Sequence, residues 1–277
     1  MSEPQQVDFQ GSDKAWPKIE ELFEHIKTLP EPGTPQTIPT PRQIDEAQPA
    51  GHRVYMQSRE LLDFAYELHR AFLAHIESVF RPRSPFILLR PVLESSLWVL
   101  WLLDSPESEI RRERALRYQI QDTKAEIAFL ETLGKRSNGE TAREAAEQRK
   151  TATGKLYRED AERMGLKYAD LKSKKINLTD EIPKMRRLLD RHGKDTAHLI
   201  VAAWRLLSGY QHGKSWSTYL GSERTFLQDT PGGKTFRIVA SDDNISFATG
   251  MTALVFIEAL YLYIERCENM ASVRDND

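Results

Sequence analysis

The chain has 277 residues, with 39 lysines and arginines against 41 aspartates and glutamates, and its formal net charge at pH 7 is -2. This balance excludes a protein that is basic throughout and binds nucleic acid by charge alone, and 40% hydrophobic residues exclude a largely disordered chain. The single cysteine, Cys267, excludes a disulfide framework, and the first residues lack the features of a signal peptide, so we expect a cytoplasmic location.

Residues 1–28 are expected to hold a short amphipathic helix, followed by a linker over residues 29–50. Apolar residues recur three and four positions apart within 14–28, as on one face of a helix. They are Trp16, Ile19, Leu22, Phe23 and Ile26. Six of the fourteen prolines lie between positions 30 and 49. Because proline lacks a backbone donor and fixes φ, this part is predicted to be extended. It is either a strap over its own domain or an arm of up to ~60 Å that carries the first helix to a partner.

Residues 51–277 are predicted to form one helical bundle domain. Helical periodicity and helix-ending signals give segments at 53–80, 86–103, 107–134, 140–164, 180–191, 195–210 and 244–270. Near residues 225–240, two β-prone runs flank the turn Pro231-Gly232-Gly233 and predict a hairpin. The expected fold class is therefore all-α, an up-and-down helical bundle with a proline-rich N-terminal linker and one small β-hairpin.

Two of these segments are apolar enough to raise the question of membrane insertion. Residues 245–264 have the length of a bilayer span, but they carry Glu258 near the middle and no basic cluster on either side. A charge at the centre of a span costs about 2.5–3.5 kcal/mol, and segment 86–103 carries both Arg90 and Glu94. We therefore expect two core helices and no contact with a membrane.

The motifs in the sequence predict neither a metal nor a cofactor. The run from Gly209 to Ser215 resembles a phosphate-binding loop, but three residues instead of four separate its glycines, and it follows a helix rather than a strand. The seven histidines form no His-Glu-x-x-His pair, and no Glu-x-x-His sequence is present for a di-iron site.

Arg90 and Glu94 lie four positions apart on the least polar segment, where burial of an ion is costly unless it is paired. One interpretation is a buried pair that fixes the register of the helix. The other is an interior polar site between helices. We predict that Arg90, Glu94 and His212 approach one another in the bundle interior, with Glu258 as a fourth member.

A second constellation lies between Trp204 and Gly213. Arg205 and His212 are seven positions apart, so they share one helix face at about 10.5 Å along the axis. Ser208 lies between them, and Tyr210 is a further candidate binding residue. Gly213 is expected to end the helix, which leaves His212 where the helix dipole favours a protonated imidazole.

These residues resemble two groups of proteins. The spacing of Arg205 and His212 fits the Arg-x(4–6)-His pattern of the HEPN superfamily, all-α bundles that include metal-independent ribonucleases of toxin and phage-defence systems. The run Leu89–Leu103 and the downstream Leu207-Ser208-x-x-x-His212 are similar to a broad group of bacterial all-helical proteins. Those proteins carry an Arg-x-x-x-Glu helix and a Leu-Ser-x-x-x-His helix, and this resemblance covers about residues 55–265.

The resemblance implies two alternative functions. The first is a non-catalytic HEPN-like protein that acts through self-association and binding of nucleic acid or a protein partner, in a stress or phage-defence context. The alternative is a metal-independent ribonuclease, in which His212 is the general acid or base and Arg205 holds the phosphate. Catalytic HEPN members usually carry a polar residue where this chain has Leu206, which favours the first function.

The resemblance also implies a homodimer, because HEPN-type ribonucleases join two Arg-His helices across a two-fold contact. We expect the face of Arg205 and His212 at or near that contact. Five basic residues suit RNA under either function, although such a run is usually a solvated face. They are Lys172, Lys174, Lys175, Arg186 and Arg187.

Overall fold

Helices make up most of the chain, as the sequence predicts. The computed structural model describes residues 15–31, 34, 38–78, 83–136, 138–173 and 175–268, without the side chains of residues 77, 78 and 240. Within these ranges the chain forms eleven α-helices, one 3-10 turn and one two-stranded antiparallel sheet. The predicted all-α class with one small hairpin is confirmed.

The elements follow one another along the chain with the hairpin before the last helix. They are α1 (Ala15–Lys27), α2 (Pro41–Glu46), α3 (Gly51–Ser78), α4 (Ser84–Leu103), α5 (Ser108–Gly134), α6 (Glu140–Arg163), α7 (Tyr168–Ser173), α8 (Leu178–Glu181), the 3-10 turn Ile182–Lys184, α9 (Arg186–Gln211), α10 (Ser215–Leu220), β1 (Ser222–Thr230), β2 (Gly233–Ala240) and α11 (Asp242–Cys267).

The long helices agree with the predicted segments, and the short ones do not. The predicted break before residue 195 exists, because Gly193 interrupts α9 with a non-helical φ of 78° and ψ of 171°. The segment predicted over 180–191 is instead divided among α8, the 3-10 turn and the start of α9. Short helices α7 and α10 were not predicted. The predicted helix ends at 14, 79–80 and 269–270 lie outside the described residues.

The predicted linker contains a helix that its proline content does not suggest. Thr40 caps α2, because its hydroxyl accepts a hydrogen bond from Gln43 N at 3.2 Å, and Gln43 Oε1 accepts one from Thr40 N at 3.0 Å. This capping box, with Pro41 at the first helical position, starts the helix among the surrounding prolines. One extended segment over 29–50 is therefore wrong for α2, and residues 32, 33 and 35–37 lie outside the described part.

The chain divides into two compact units, which are described separately below. The first unit comprises Met1–Pro30, Ser58–Asp104 and Leu178–Glu265, and the second comprises Glu31–Gln57, Ser105–Asn177 and Arg266–Asp277. The second unit interrupts the first twice along the sequence.

The core of the first unit is built from α1, α3, α4, α9 and α11. Its fully buried apolar side chains include Ile19, Leu62, Leu93, Leu97, Ile200 and Phe256. The rings of Phe23 and Tyr66 stack at 3.8 Å, and Trp16 lies 5.9 Å from Phe72 between ring centroids. The first helix thus packs on α3 of its own chain.

The second unit has its own core between α5, α6 and α7. Its buried cluster consists of Leu116, Ile120, Tyr157, Ala161 and Leu171. The same unit holds a buried ion pair, in which Arg111 Nε and Nη2 donate to the two carboxylate oxygens of Asp45 at 2.7 and 2.8 Å. Tyr55 donates to the same carboxylate at 2.8 Å. A second buried pair joins Arg53 Nη2 to Asp160 Oδ2 at 2.6 Å.

Among the residues that the structure describes, two helices are long and apolar enough to cross a membrane by length and composition. They are α4 and α11, whose most apolar windows are 72% and 61% buried inside the structure. Core helices of soluble proteins pass the same test, so these two helices are weak evidence for a membrane protein.

Candidate functional site

Helix α9 carries the residues that the sequence singles out, and its start is fixed by Asp104. The carboxylate of Asp104 accepts hydrogen bonds from Arg186 N at 2.8 Å and Arg187 N at 2.7 Å. These two amides have no partner within the helix, so the carboxylate both caps the helix and stabilises its dipole.

The end of α9 agrees with the prediction that Gly213 stops the helix. Gly213 has a φ of +62°, a left-handed conformation that glycine adopts without a steric penalty. Gly213 N donates to Tyr210 O at 3.1 Å, and Lys214 N donates to Gly209 O at 2.9 Å. This pattern is a Schellman ending and leaves His212 as the last residue before the turn.

Arg205 and His212 both lie on the exposed side of α9. His198, seven positions before Arg205, lies on the same side, and we call these three residues the basic stripe. In the described part of the chain, none of the three side chains has a hydrogen bond or an ion pair. Their polar groups are therefore free to bind a ligand from solvent.

Ser208 and Tyr210 do not share this exposed position. Ser208 is half-buried beside the stripe, and Tyr210 is buried with its ring stacked on Phe86 at 4.1 Å. Burial raises the pKa of the Tyr210 hydroxyl, so this group stays protonated at neutral pH. Tyr210 therefore positions the end of α9, and only Ser208 is near enough to solvent to accompany the stripe.

Arg90 and Glu94 form an ion pair on α4, with 2.8 Å between Nη1 and Oε2. The guanidinium of Arg90 is 5% exposed and lies 4.1 Å over the ring of Trp204, whereas Glu94 is 39% exposed. Burial lowers the pKa of Arg90, and the charge of Glu94 opposes that shift. Of the two, only Arg90 is buried, so the pair is not wholly buried, and the guanidinium meets α9 through the ring of Trp204.

Glu258 is buried on α11 and has partners other than those predicted. Arg187 Nε donates to Glu258 Oε2 at 2.5 Å, His192 Nε2 lies 2.9 Å from Oε1, and Arg191 Nη1 lies 3.4 Å from Oε2. Arg187 also donates to Glu265 at 2.5 Å. Burial lowers the pKa of Arg187, but the bonds to Glu265 and Glu258 outweigh this effect and raise it.

The predicted interior cluster is therefore wrong where it includes His212, because that side chain is exposed. Glu258 is neutralised by Arg187 and its neighbours, and Arg90 is neutralised on its own helix. Among the basic residues considered for RNA, Arg187 is bound to the carboxylates of Glu258 and Glu265, while Lys172, Lys175 and Arg186 are exposed. Lys174 lies outside the described residues.

The sequence did not reveal the apolar surface that follows α9. We call residues 215–240, which comprise α10 and the hairpin, the hairpin arm. Six of its large apolar side chains are 43–69% exposed. They are Trp216, Tyr219, Leu220, Phe226, Leu227 and Phe236.

The hairpin has one apolar and one polar face. Phe226 is paired with Phe236 across the strands, and their rings meet edge to face at 5.9 Å. Side chains two positions away share a face, so Ile238 lies on this face and Thr225 on the other. Strand β1 bulges at Leu227, where the register shifts by one residue. Alternation of apolar and polar residues in 222–240 was the signal that could have predicted this face.

The base of the hairpin arm is packed closely on α9. A Cβ atom at Gly209 would lie 2.7 Å from the ring of Trp216, and one at Gly221 would lie 2.0 Å from the Tyr210 hydroxyl. Glycine at both positions lets α10 and the start of β1 approach α9. The guanidinium of Arg224 lies 4.8 Å over the ring of Tyr219 and links α10 to the hairpin.

The residues of the described ranges contain no group of three or more histidine, cysteine, aspartate or glutamate side chains that could hold a metal ion. Comparisons with protein-family models, with curated proteins and with solved structures found no match for this chain.

Proposed function

We propose that the protein is a HEPN-like binding protein that acts as a homodimer, in which two hairpin arms pack together through their apolar faces. The observation that carries this proposal is the exposed face formed by Phe226, Phe236 and their neighbours. Clustered large apolar side chains on a protein surface are typical of an interaction site.

The size of this surface suits a specific contact. Six side chains, each about half exposed and each with roughly 200 Å² of surface, offer about 600 Å² of apolar area per chain. A standard interface buries about 800 Å² on each partner. In addition, a two-stranded hairpin alone is marginally stable in water, so packing against a partner would stabilise it.

A second copy of the chain is the partner that the charges favour. The apolar face of the hairpin is bordered by Arg224, Asp229 and Lys234, two basic residues and one acidic residue on the same face. A two-fold contact places each patch against itself. Because both signs are present, a positive group of one copy can meet the negative group of the other.

Size-exclusion chromatography with light scattering tests the dimer. The wild-type protein should have twice the chain mass of 31.9 kDa, and the double variant Phe226→Ser/Phe236→Ser should have the mass of one chain. Thr225→Ser, on the polar face of the same strand, is the matched control and should remain a dimer. Circular dichroism should show unchanged helix content in each variant. A monomeric wild-type protein, or a dimeric double variant, contradicts the proposal.

The basic stripe supports binding of nucleic acid by this dimer. His198, Arg205 and His212 are exposed and carry no protein partner in the described ranges, and arginine matches phosphate oxygens well. Binding of single-stranded RNA, followed by fluorescence anisotropy, should weaken with salt and in Arg205→Gln. The exposed Arg237, on the polar face of the hairpin with Thr225, provides a control arginine outside the proposed dimer contact.

A metal-independent ribonuclease is the second candidate, and the free side chains of Arg205 and His212 favour it. An imidazole can accept the proton of an RNA 2′-hydroxyl, and the guanidinium can stabilise the charge that develops on phosphate. Cleavage of single-stranded RNA in EDTA should then be abolished in His212→Ala and retained in His198→Ala. Binding without cleavage assigns the non-catalytic function.

A further inference from the structure

The second unit contains a cavity of about 270 Å³ between α5, α6 and α7. This volume lies near the lower end of the range for small-molecule sites. The cavity is far from the basic stripe and the hairpin arm in sequence, and it belongs to a different compact unit. Its function is therefore separate from the one proposed above.

The floor of the cavity is apolar and aromatic. Ile120 and Tyr157 are buried and belong to the core cluster of this unit, and Tyr168 packs against that cluster. The hydroxyl groups of Thr123 and Tyr157 are hydrogen-bonded to each other at 2.7 Å. Because these two hydroxyl groups are bonded to each other, the floor is apolar toward a ligand.

Gly154 keeps the cavity open on the side of α6. It lies in the middle of a 24-residue helix, where glycine is less favourable than alanine. A Cβ atom at this position would meet nothing within 4 Å. Helix packing therefore does not require glycine here, and the absent side chain leaves room in the cavity that α6 lines.

The rim of the cavity is positively charged. Lys124 on α5, Lys150 on α6 and Lys172 on α7 come from three helices, and Glu131 is the only acidic residue among the lining residues. Lys150 Nζ lies 3.5 Å from Glu147 Oε2, and both side chains are more than half exposed. Lys124 and Lys172 have no ion pair within the described part of the chain. An apolar cavity thus opens under an excess of positive charge.

From this arrangement we propose that the cavity binds a small organic anion, with a flat apolar body on the floor and a carboxylate at the lysine rim. Tyrosine and isoleucine side chains favour an aromatic or short aliphatic body. Flexible lysines attract a carboxylate while their charged ends remain in water.

Titration calorimetry with 2-naphthoate and its uncharged isostere 2-naphthamide tests this site in the full-length protein. Two of the rim lysines at partly solvated positions should favour the carboxylate about fivefold over the amide. The double variant Lys124→Gln/Lys172→Gln should lose this preference and bind the amide as the wild type does. Equal affinity of the wild type for the two probes, or no binding of either, overturns the proposal.

A variant that fills the cavity shows where the probes bind. Gly154→Phe should lower the affinity for both probes at least fivefold, because the ring occupies the space that the ligand needs. Gly154→Ala adds only a methyl group and should retain most of the affinity, which makes it the matched control. Both variants replace glycine by a better helix former, so melting temperatures at or above the wild-type value are expected. Unchanged affinity in a folded Gly154→Phe variant places the probe elsewhere and overturns the proposal.

Discussion

Asp45→Ala removes the carboxylate on which the buried charge of the second unit depends. The side chains of Asp45 and Arg111 are 0% and 2% exposed, and two parallel hydrogen bonds join them. Removing one member of a buried pair leaves the other charge without compensation, which costs about 3–5 kcal/mol.

The expected magnitude follows from the bonds that remain. Arg111 Nη1 still donates to the carbonyl oxygens of Ser105 and Pro106 at 2.8 and 2.7 Å, so the cation is not wholly unsolvated. The broken ion pair should therefore lower the free energy of unfolding by about 3 kcal/mol, the lower end of that range. The hydroxyl of Tyr55 also loses its hydrogen bond to Asp45, which adds about 1 kcal/mol. We therefore expect the free energy of unfolding of the second unit to fall by about 4 kcal/mol.

Urea unfolding with two probes measures this loss. All five tryptophans belong to the first unit, whereas far-ultraviolet circular dichroism reports on both units. Asp45→Ala should lower the unfolding midpoint seen by circular dichroism more than the midpoint seen by tryptophan fluorescence. Glu126→Ala removes an exposed partner of Arg149 in the same unit and should change stability by less than about 0.5 kcal/mol.

A second variant separates the lost charge pair from a general packing defect. Asp45→Leu/Arg111→Met replaces both ions by apolar side chains and should recover most of the stability, because apolar replacements of buried pairs are often neutral. The reasoning is refuted if Asp45→Ala unfolds within 1 kcal/mol of the wild type. It is also refuted if the double variant is no more stable than Asp45→Ala.

Two further predictions concern the first unit. Burial lowers the pKa of His69 to about 4 from an ordinary 6.5, so the unfolded chain takes up the proton first as the pH falls. The contribution of neutral His69 to the free energy of unfolding should be fully present above pH 6.5 and fall by about 3 kcal/mol between pH 6.5 and 4. In His69→Phe, the urea midpoint should decline less over this pH range than in the wild type. In Gly209→Ala the new methyl group would lie 2.7 Å from Trp216, so α10 must shift. A changed tryptophan emission and a weakened dimer are expected, whereas a variant identical to the wild type in both would contradict the close packing of α10.

The apolar helices α4 and α11 are buried on most sides, whereas the other long helices bury one apolar face, which is the pattern that periodicity predicts. The segment over 14–28 shows this most simply, since Ile19, Leu22 and Phe23 are all buried in α1. The spacing of turn residues predicted the hairpin in the same way, because Gly232 and Gly233 suit a tight turn. Helical periodicity and turn residues each lie within one short segment, so the sequence of that segment is enough to predict the element.

The partners of the charged residues could not be predicted, because they depend on distant segments. Glu258 is bound by Arg187, 71 positions away, and no pattern near either residue indicates the other. Helix α2 is a different case, because Thr40 and Gln43 have capping-box spacing in the sequence, but the prolines around them led to the prediction of an extended segment. The site at the end of α9 was predicted as residues on one face, and its exposure required the structure.

The interruption of α9 at Gly193 has a consequence for how this protein can evolve. Before the glycine, Arg187 and His192 are held by a buried carboxylate on α11, so substitutions there disturb the core. After it, the residues of the basic stripe touch solvent and hold nothing in place. Exposed substitutions usually change stability by less than about 0.5 kcal/mol. Evolution can therefore substitute the exposed side chains along the second half of α9, and so change what this face binds, with little effect on the stability of the fold.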